Sequence, residues 1–432
     1  MARGKPKAIR IPAPPLAWWP KGRRMTKPVY NRLLVCASLF HEGPESRVGL
    51  HHRTGLPISR LSEICGELLR DGLIRESVVA PPGGNGRGRP QTLLEIDLRG
   101  LGVACVQYDQ DHINAAVTDL GGTLRWQRRW DGPFEEDAQR RLRRIARAVT
   151  LAVDTAPKLG VRIVAVGAAD PGTVDIATGG AVRAVNVPGW QNVPVAEALR
   201  KATGRPTVIQ RGDSWQALGE VSFGAGRGAQ NALFVTLLEG IGGGIVERGR
   251  LLVGRDGSAG EIGHTRVSED GPPCGCGGRG CLEAHVAPAR LAARWRQLPA
   301  EQAEWVTLRG EMPNDDFTQM LQAAREGDAR AREILAEAAR ALARGLGNAV
   351  SLLNPERIIL GGRFVQAGEL LLDPLKRALP EYALGELLQG IEVRLAELGE
   401  TSAFLGIAAD ARDRLFAYPS IGARFGEAEA NL

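Results

Sequence analysis

A chain of 432 residues, 44% hydrophobic and 24% charged, is long enough for two or three domains with cores of their own, and it has no apolar run near the roughly 18–20 residues that span a bilayer. Six cysteines in such a length make no disulfide framework, and the first residues lack the charged, apolar, small order of a secretory leader, so a cytoplasmic multidomain protein is expected. The net charge of +6 is uneven: residues 1–90 hold 16 Lys or Arg against 6 Asp or Glu, a distribution that suits a nucleic-acid-binding head on an acidic body.

Residues 1–27, rich in Pro, Lys and Arg and without hydrophobic period, read as a disordered basic tail, with Met25 as an alternative start. Thr26 and Pro28 then open a helix whose apolar positions Val29, Leu33, Ala37 and Phe40 recur at helical spacing. A short helix from Ser46 to Arg53 follows. The turn Thr54-Gly55-Leu56 leads through Pro57 into a third helix with Ile58, Leu61, Cys65 and Leu68 as its buried stripe. This is helix-turn-helix spacing, and it leaves Ser59, Arg60, Ser62 and Glu63 as candidates for the major groove of DNA. Ile74–Val79 and Gln91–Ile96 read as strands of a wing whose tip sets Arg87 and Arg89 among glycines, a form suited to the minor groove. Residues 28–97 are thus expected to form a winged helix-turn-helix.

Beyond residue 98, strand-like runs at Val103–Tyr108, Ile113–Asp119 and Thr123–Trp130 precede a helical stretch at Glu135–Ala156 and a buried strand at Val161–Val166. A further strand is expected at Leu233–Leu238, and a helix after Thr401. His264, Cys274, Cys276 and Cys281 offer one imidazole and three thiolates among glycines that permit tight turns. Such a closed set suits a structural, tetrahedral Zn2+.

Around these ligands the sequence resembles the ROK family of repressors, open reading frames and kinases. The resemblance rests on Glu261-Ile262-Gly263-His264, the Cys274-Gly275-Cys276 to Cys281-Leu282-Glu283 knot, and Asn354-Pro355-Glu356 with Gly361-Gly362. Val166-Gly167, Pro171-Gly172, Asn186 to Trp190, Leu218-Gly219-Glu220 and Phe223 to Gly226 extend it, so that it covers residues 28 to 412. It implies an α/β, actin-like body of two lobes, 98–231 and 232–400, with the last helix returning to the first lobe. It also implies sugar contacts from Glu261, Glu283 and His264, and a weaker one from Asn186.

The departures from the family pattern carry as much information. The family kinases' Asp-x-Gly-Gly-Thr phosphate turn reads Gln107-Tyr108-Asp109-Gln110-Asp111, and their Gly-Thr-Gly reads Leu238-Glu239-Gly240. The Asn-Asp pair that holds their catalytic base falls on Arg211 and Gly212, with Asp213 one residue out of register. Nucleotide binding and phosphoryl transfer should therefore be lost. The winged helix places the chain with the family's regulators: a sugar-responsive DNA-binding repressor, a homodimer or homotetramer on operator DNA. A sugar kinase with an appended head and an effector-independent regulator are the alternatives. Arg211 in the cleft would let it take a sugar phosphate or sugar acid.

Overall fold

The computed structural model describes residues 26–79, 91–132, 137–184, 187–299 and 314–417. The expected tail, Arg87, Arg89 and Asn186 lie outside them.

The head begins with α1 (Lys27–Glu42), α2 (Arg47–Thr54) and α3 (Ile58–Arg70). Ser46 caps α2 by accepting from the Gly49 amide, and Gly55 ends it in the left-handed region at φ +71°, which sets the turn into α3. Strands β1 (Ile74–Val79) and β2 (Gln91–Ile96), at the expected bounds, pair antiparallel from Ile74 with Ile96 to Val79 with Gln91. Two apolar stripes differ from the sequence reading. On α3 the buried residues are Leu61, Ile64, Cys65 and Leu68, whereas Ile58 is 48% exposed because the first helical turn projects beyond the packed interface. On α1 the buried set is Val35, Cys36, Ala37 and Leu39, and Phe40 sits half-buried at the edge.

The first lobe is built on a five-stranded sheet of order β10-β6-β3-β4-β5, from β3 (Leu101–Tyr108), β4 (His112–Asp119), β5 (Leu124–Asp131), β6 (Arg162–Asp170) and β10 (Thr207–Arg211). A small sheet of β7 (Thr173–Asp175), β8 (Gly180–Arg183) and β9 (Gln191–Val193) hangs from it. Helices α4 (Ala138–Thr155) and α5 (Val195–Thr203) cover one face. The second sheet, of order β13-β12-β11-β14-β15, uses β11 (Ala232–Leu237), β12 (Ile241–Glu247), β13 (Arg250–Leu251), β14 (Arg357–Gly362) and β15 (Glu392–Leu395). Its core is filled largely from the long helix Ala329–Leu353.

Between the sheets run α6 (Gly212–Phe223), against β11 and β12, and the helix Ser402–Leu415, against β3, β4 and β6. The two helices cross in backbone contact. A Cβ on Gly219 would lie 2.0 Å from the Ser402 carbonyl oxygen, and one on Gly406 would lie 1.8 Å from that of Trp215, so only glycine fits either place. The last helix thus packs on the sheet of the first lobe. One apolar cluster runs unbroken from Val35 and Leu68 of the head through Val103 and Trp215 to Phe404 and Phe416.

Candidate functional site

The cleft between the lobes collects residues from distant parts of the chain. Arg211 ends β10 and stands at the N-terminus of α6, only 4% exposed. Its Nη1 donates to Glu261 Oε1, and its Nη2 donates to the carbonyl oxygens of Gly243 at 2.6 Å and Ala259 at 3.2 Å. Nε lies 3.2 Å from Asp213 Oδ1 but makes no hydrogen bond. Asp213 accepts instead from the Ser214 amide at 2.7 Å, and a Cβ on Gly242 would lie 2.4 Å from its Oδ2. The carboxylate is thus pressed against Arg211 and β12, and burial pushes its proton affinity up despite the guanidinium.

Glu261 leads from this cluster to the four residues that could hold a metal ion. Its Oε2 is 3.9 Å from His264 Nε2, and the other ring nitrogen, Nδ1, is 3.7 Å from Cys274 Sγ. Cys276 and Cys281 bring their sulfurs to 3.7 Å, and the four ligand atoms all lie within 4.8 Å of one another. A tetrahedral ion with Zn–S bonds of about 2.3 Å would space its sulfurs about 3.8 Å apart, so the donor set fits zinc in kind and in spacing. Gly277 and Gly280, at φ +90° and +70°, make the turns that bring the thiols together. Little apolar packing supports the knot, since the local cluster is Cys274, Cys281 and Ala284. Glu283 follows directly, with Oε2 accepting from the Ile241 amide at 2.9 Å and Oε1 lying 3.7 Å from Cys274 Sγ. Arg211, Glu261, His264 and Glu283 are therefore brought to one site beside the knot.

The turn between β3 and β4 satisfies its own amides. Asp109 Oδ1 accepts from the backbone amides of Asp111 at 2.8 Å and His112 at 2.7 Å, donors that a phosphate would otherwise need. Opposite stands Glu239, whose carboxyl is pushed up by desolvation and then by the charges of Asp109 and Asp111, with Arg363 opposing.

Sequence reasoning missed a buried cluster behind this corner. Asp170 Oδ2 accepts from the Tyr108 hydroxyl at 2.6 Å and from Trp190 Nε1 at 3.0 Å, while Oδ1 takes the Gly172 amide at 2.8 Å. Burial raises the Asp170 carboxyl against the pull of these donors. The one signal was an acid ending the apolar strand Ile163–Ala169. Also missed was a join between head and body, where Phe40 stacks on Phe416 at 5.2 Å and His41 Nε2 lies 3.1 Å from the Phe416 carbonyl oxygen. The Arg412 guanidinium lies over both Phe40, at 5.6 Å, and Phe223, at 5.2 Å.

On α3, Ser59, Ser62 and Glu63 are exposed and Arg60 is half-buried. Arg60 Nη1 donates to Glu63 Oε2 at 2.7 Å, and the Ser62 hydroxyl donates to the Ile58 carbonyl oxygen at 3.0 Å. Among the described residues no helix is long and apolar enough to cross a membrane.

Comparison with known proteins follows the same division into head and body. The ROK family model matches residues 103–414. A glucokinase from Thermotoga maritima is 37% identical over 253 residues, 58% of this chain and 80% of that protein. The xylose repressor of Caldicellulosiruptor bescii is 25% identical over 391 residues, 90% of this chain and 97% of its own, and so includes the head. A solved ROK family transcriptional regulator, a homolog of the E. coli Mlc protein, superposes with a TM-score of 0.74 at 25% identity, covering 90% of this chain and 96% of that one.

Proposed function

The chain belongs to the ROK family, and from that premise we propose that it is a DNA-binding transcription regulator, a repressor, whose cleft binds a sugar or sugar derivative and no longer transfers phosphate. The observation that carries the loss of transfer is the Asp109 carboxylate on the amides of the former phosphate turn. Asp111 and Glu239 add charge of the same sign, so a triphosphate would lose its donors and meet repulsion. Gly212 offers no base, and Asp213 is engaged with Arg211 and β12.

The exposed face of α3, with Ser59, Arg60, Ser62 and Glu63, supports docking in a major groove, and Arg87 and Arg89 of the wing would reach the minor groove. A homodimer or homotetramer in the cytoplasm, with two heads on a pseudo-palindromic operator, follows from the symmetry such sites demand. Glu261, Glu283 and His264 would accept or orient sugar hydroxyls, and Asn186 would add a contact. His264, Cys274, Cys276 and Cys281 would hold a structural Zn2+ that fixes Glu283 and the His264 ring. Relatives that join a head of this kind to this body include a xylose repressor. The Phe40–Arg412–Phe223 contact gives the cleft a route to the head, because Phe223 closes the helix that Arg211 opens.

Selecting DNA sequences bound by the full chain, then screening a sugar library for release, tests this reading; failure to enrich any sequence would overturn it. The glucokinase relatives favour a kinase reading instead. ATP-dependent turnover of a hexose that vanishes in Asp213→Asn would establish it.

A further inference from the structure

We infer that the effector is an acidic sugar, whose anionic group takes Arg211 from Glu261 while its hydroxyls take the carboxylate so released. This deepens the sugar-sensor reading and rests on it.

In the cleft the guanidinium occupies Glu261 as a ligand would. It fills the place where the resembled kinases carry a neutral Asn, and it holds Glu261 Oε1, one of the two oxygens a sugar would use. A neutral sugar has two options. It can leave the pair intact and bind through Glu261 Oε2 alone, or it can break the pair and strand a cation whose remaining acid, Asp213, lies 3.2 Å from Nε without a hydrogen bond. Stranding is costly because Arg211 is 4% exposed and already carries a buried, unsatisfied Nε–H. Its carbonyl partners Gly243 and Ala259 solvate the charge without neutralising it.

An anion removes the difficulty by exchange. The carboxylate or phosphate of the ligand replaces the Glu261 carboxylate on Arg211 Nη1 in a charge-assisted contact. Glu261, with its side chain 38% exposed, then carries its own charge toward solvent and the sugar hydroxyls. The exchange puts the unpaired charge on the group that tolerates it. Asp213, the second carboxylate facing Arg211, is turned to the Ser214 amide and makes no hydrogen bond to the guanidinium. On this account ligand size and hydroxyl pattern are read by Glu261, Glu283 and His264, and ligand charge is read by Arg211.

Calorimetric titration of the full chain with matched sets decides the matter: glucose, galactose, mannose and xylose beside glucuronate, galacturonate and the 6-phosphates of the hexoses. The expected result is an acidic member binding at least about 100-fold tighter than its neutral counterpart, the scale on which an unpaired buried charge discriminates. In Arg211→Gln that preference should disappear or reverse. A neutral sugar binding as well as its acidic partner overturns the inference and leaves the sensor reading standing. Binding of none, neutral or acidic, overturns both. Should Arg211→Gln fail to fold, the comparison within the unaltered protein still gives one of these answers.

Discussion

Replacing Glu220 by Gln should destabilise the body severely without touching the cleft. Glu220 lies on α6, fully buried, and its carboxylate gathers backbone donors from two segments. Oε2 accepts from the Ala225 amide at 2.9 Å and from Glu397 at 3.2 Å, while Oε1 accepts from Leu398 at 2.8 Å. The side chain thus ties the end of α6 to the bend between β15 and the helix Ser402–Leu415. A glutamine of the same shape keeps one oxygen and turns an NH2 toward the remaining amides. At least one charge-assisted bond is lost and at least one buried N–H is left facing a donor, together worth about 3 kcal/mol. For a folding unit of about 150–250 residues that corresponds to a melting point lower by about 6–12 °C. Differential scanning calorimetry of the two proteins reads the shift directly. A fall of less than about 2 °C would refute the reasoning, since the tie would then be carried by the apolar contacts of α6 alone.

Metal analysis of the purified protein should return about one zinc per chain, and stripping it should abolish the effector response, because so little apolar packing supports the knot; a stripped protein with unchanged response would contradict this. Burial raises the Asp170 carboxyl, so the folded chain binds that proton more tightly than the unfolded chain. Its contribution is fully present below the ordinary carboxylate range and is lost as pH rises through the raised value. Asp170→Asn should flatten that part of the stability profile, as thermal melts from about pH 3 upward, starting below the ordinary carboxylate range, will show. Phe40→Ala should leave effector affinity and folding of the body intact but bring the ratio of DNA affinities with and without effector toward one, from the about 5- to 150-fold usual for coupled sites. An unaltered ratio would exclude the contact as the route.

Elements and ligands set by local pattern were legible before the fold was seen. The head's helices follow from apolar spacing and the Gly55 turn, and β1 and β2 from β-branched runs around a glycine-rich tip. The thiols of Cys274, Cys276 and Cys281 are close because they fall within eight residues, four of them glycine, which leave them little choice. Features that need partners from afar were not legible. Arg211 and Glu261 are fifty residues apart, and nothing in either neighbourhood says that one will seize the other. Tyr108, Asp170 and Trp190 meet only once β3 and β6 pair and Trp190, just before β9, reaches Asp170. Ile58 was misplaced for a related reason: periodicity assigns a face to a residue, but only the neighbouring element decides how far along the helix that face is covered.

The glycine crossing of α6 with the helix Ser402–Leu415 has a mechanical meaning. With no side chains between the two backbones there is no soft layer to absorb motion, so the pair behaves as one stiff beam. The 12 residues of α6 span about 18 Å, with Arg211 at the fulcrum end and Phe223 at the free end. A tilt of about 5° at the fulcrum carries the free end about 1.5 Å. That stroke would be enough to part an aromatic stack, and it costs the cleft a movement of only a few tenths of an ångström.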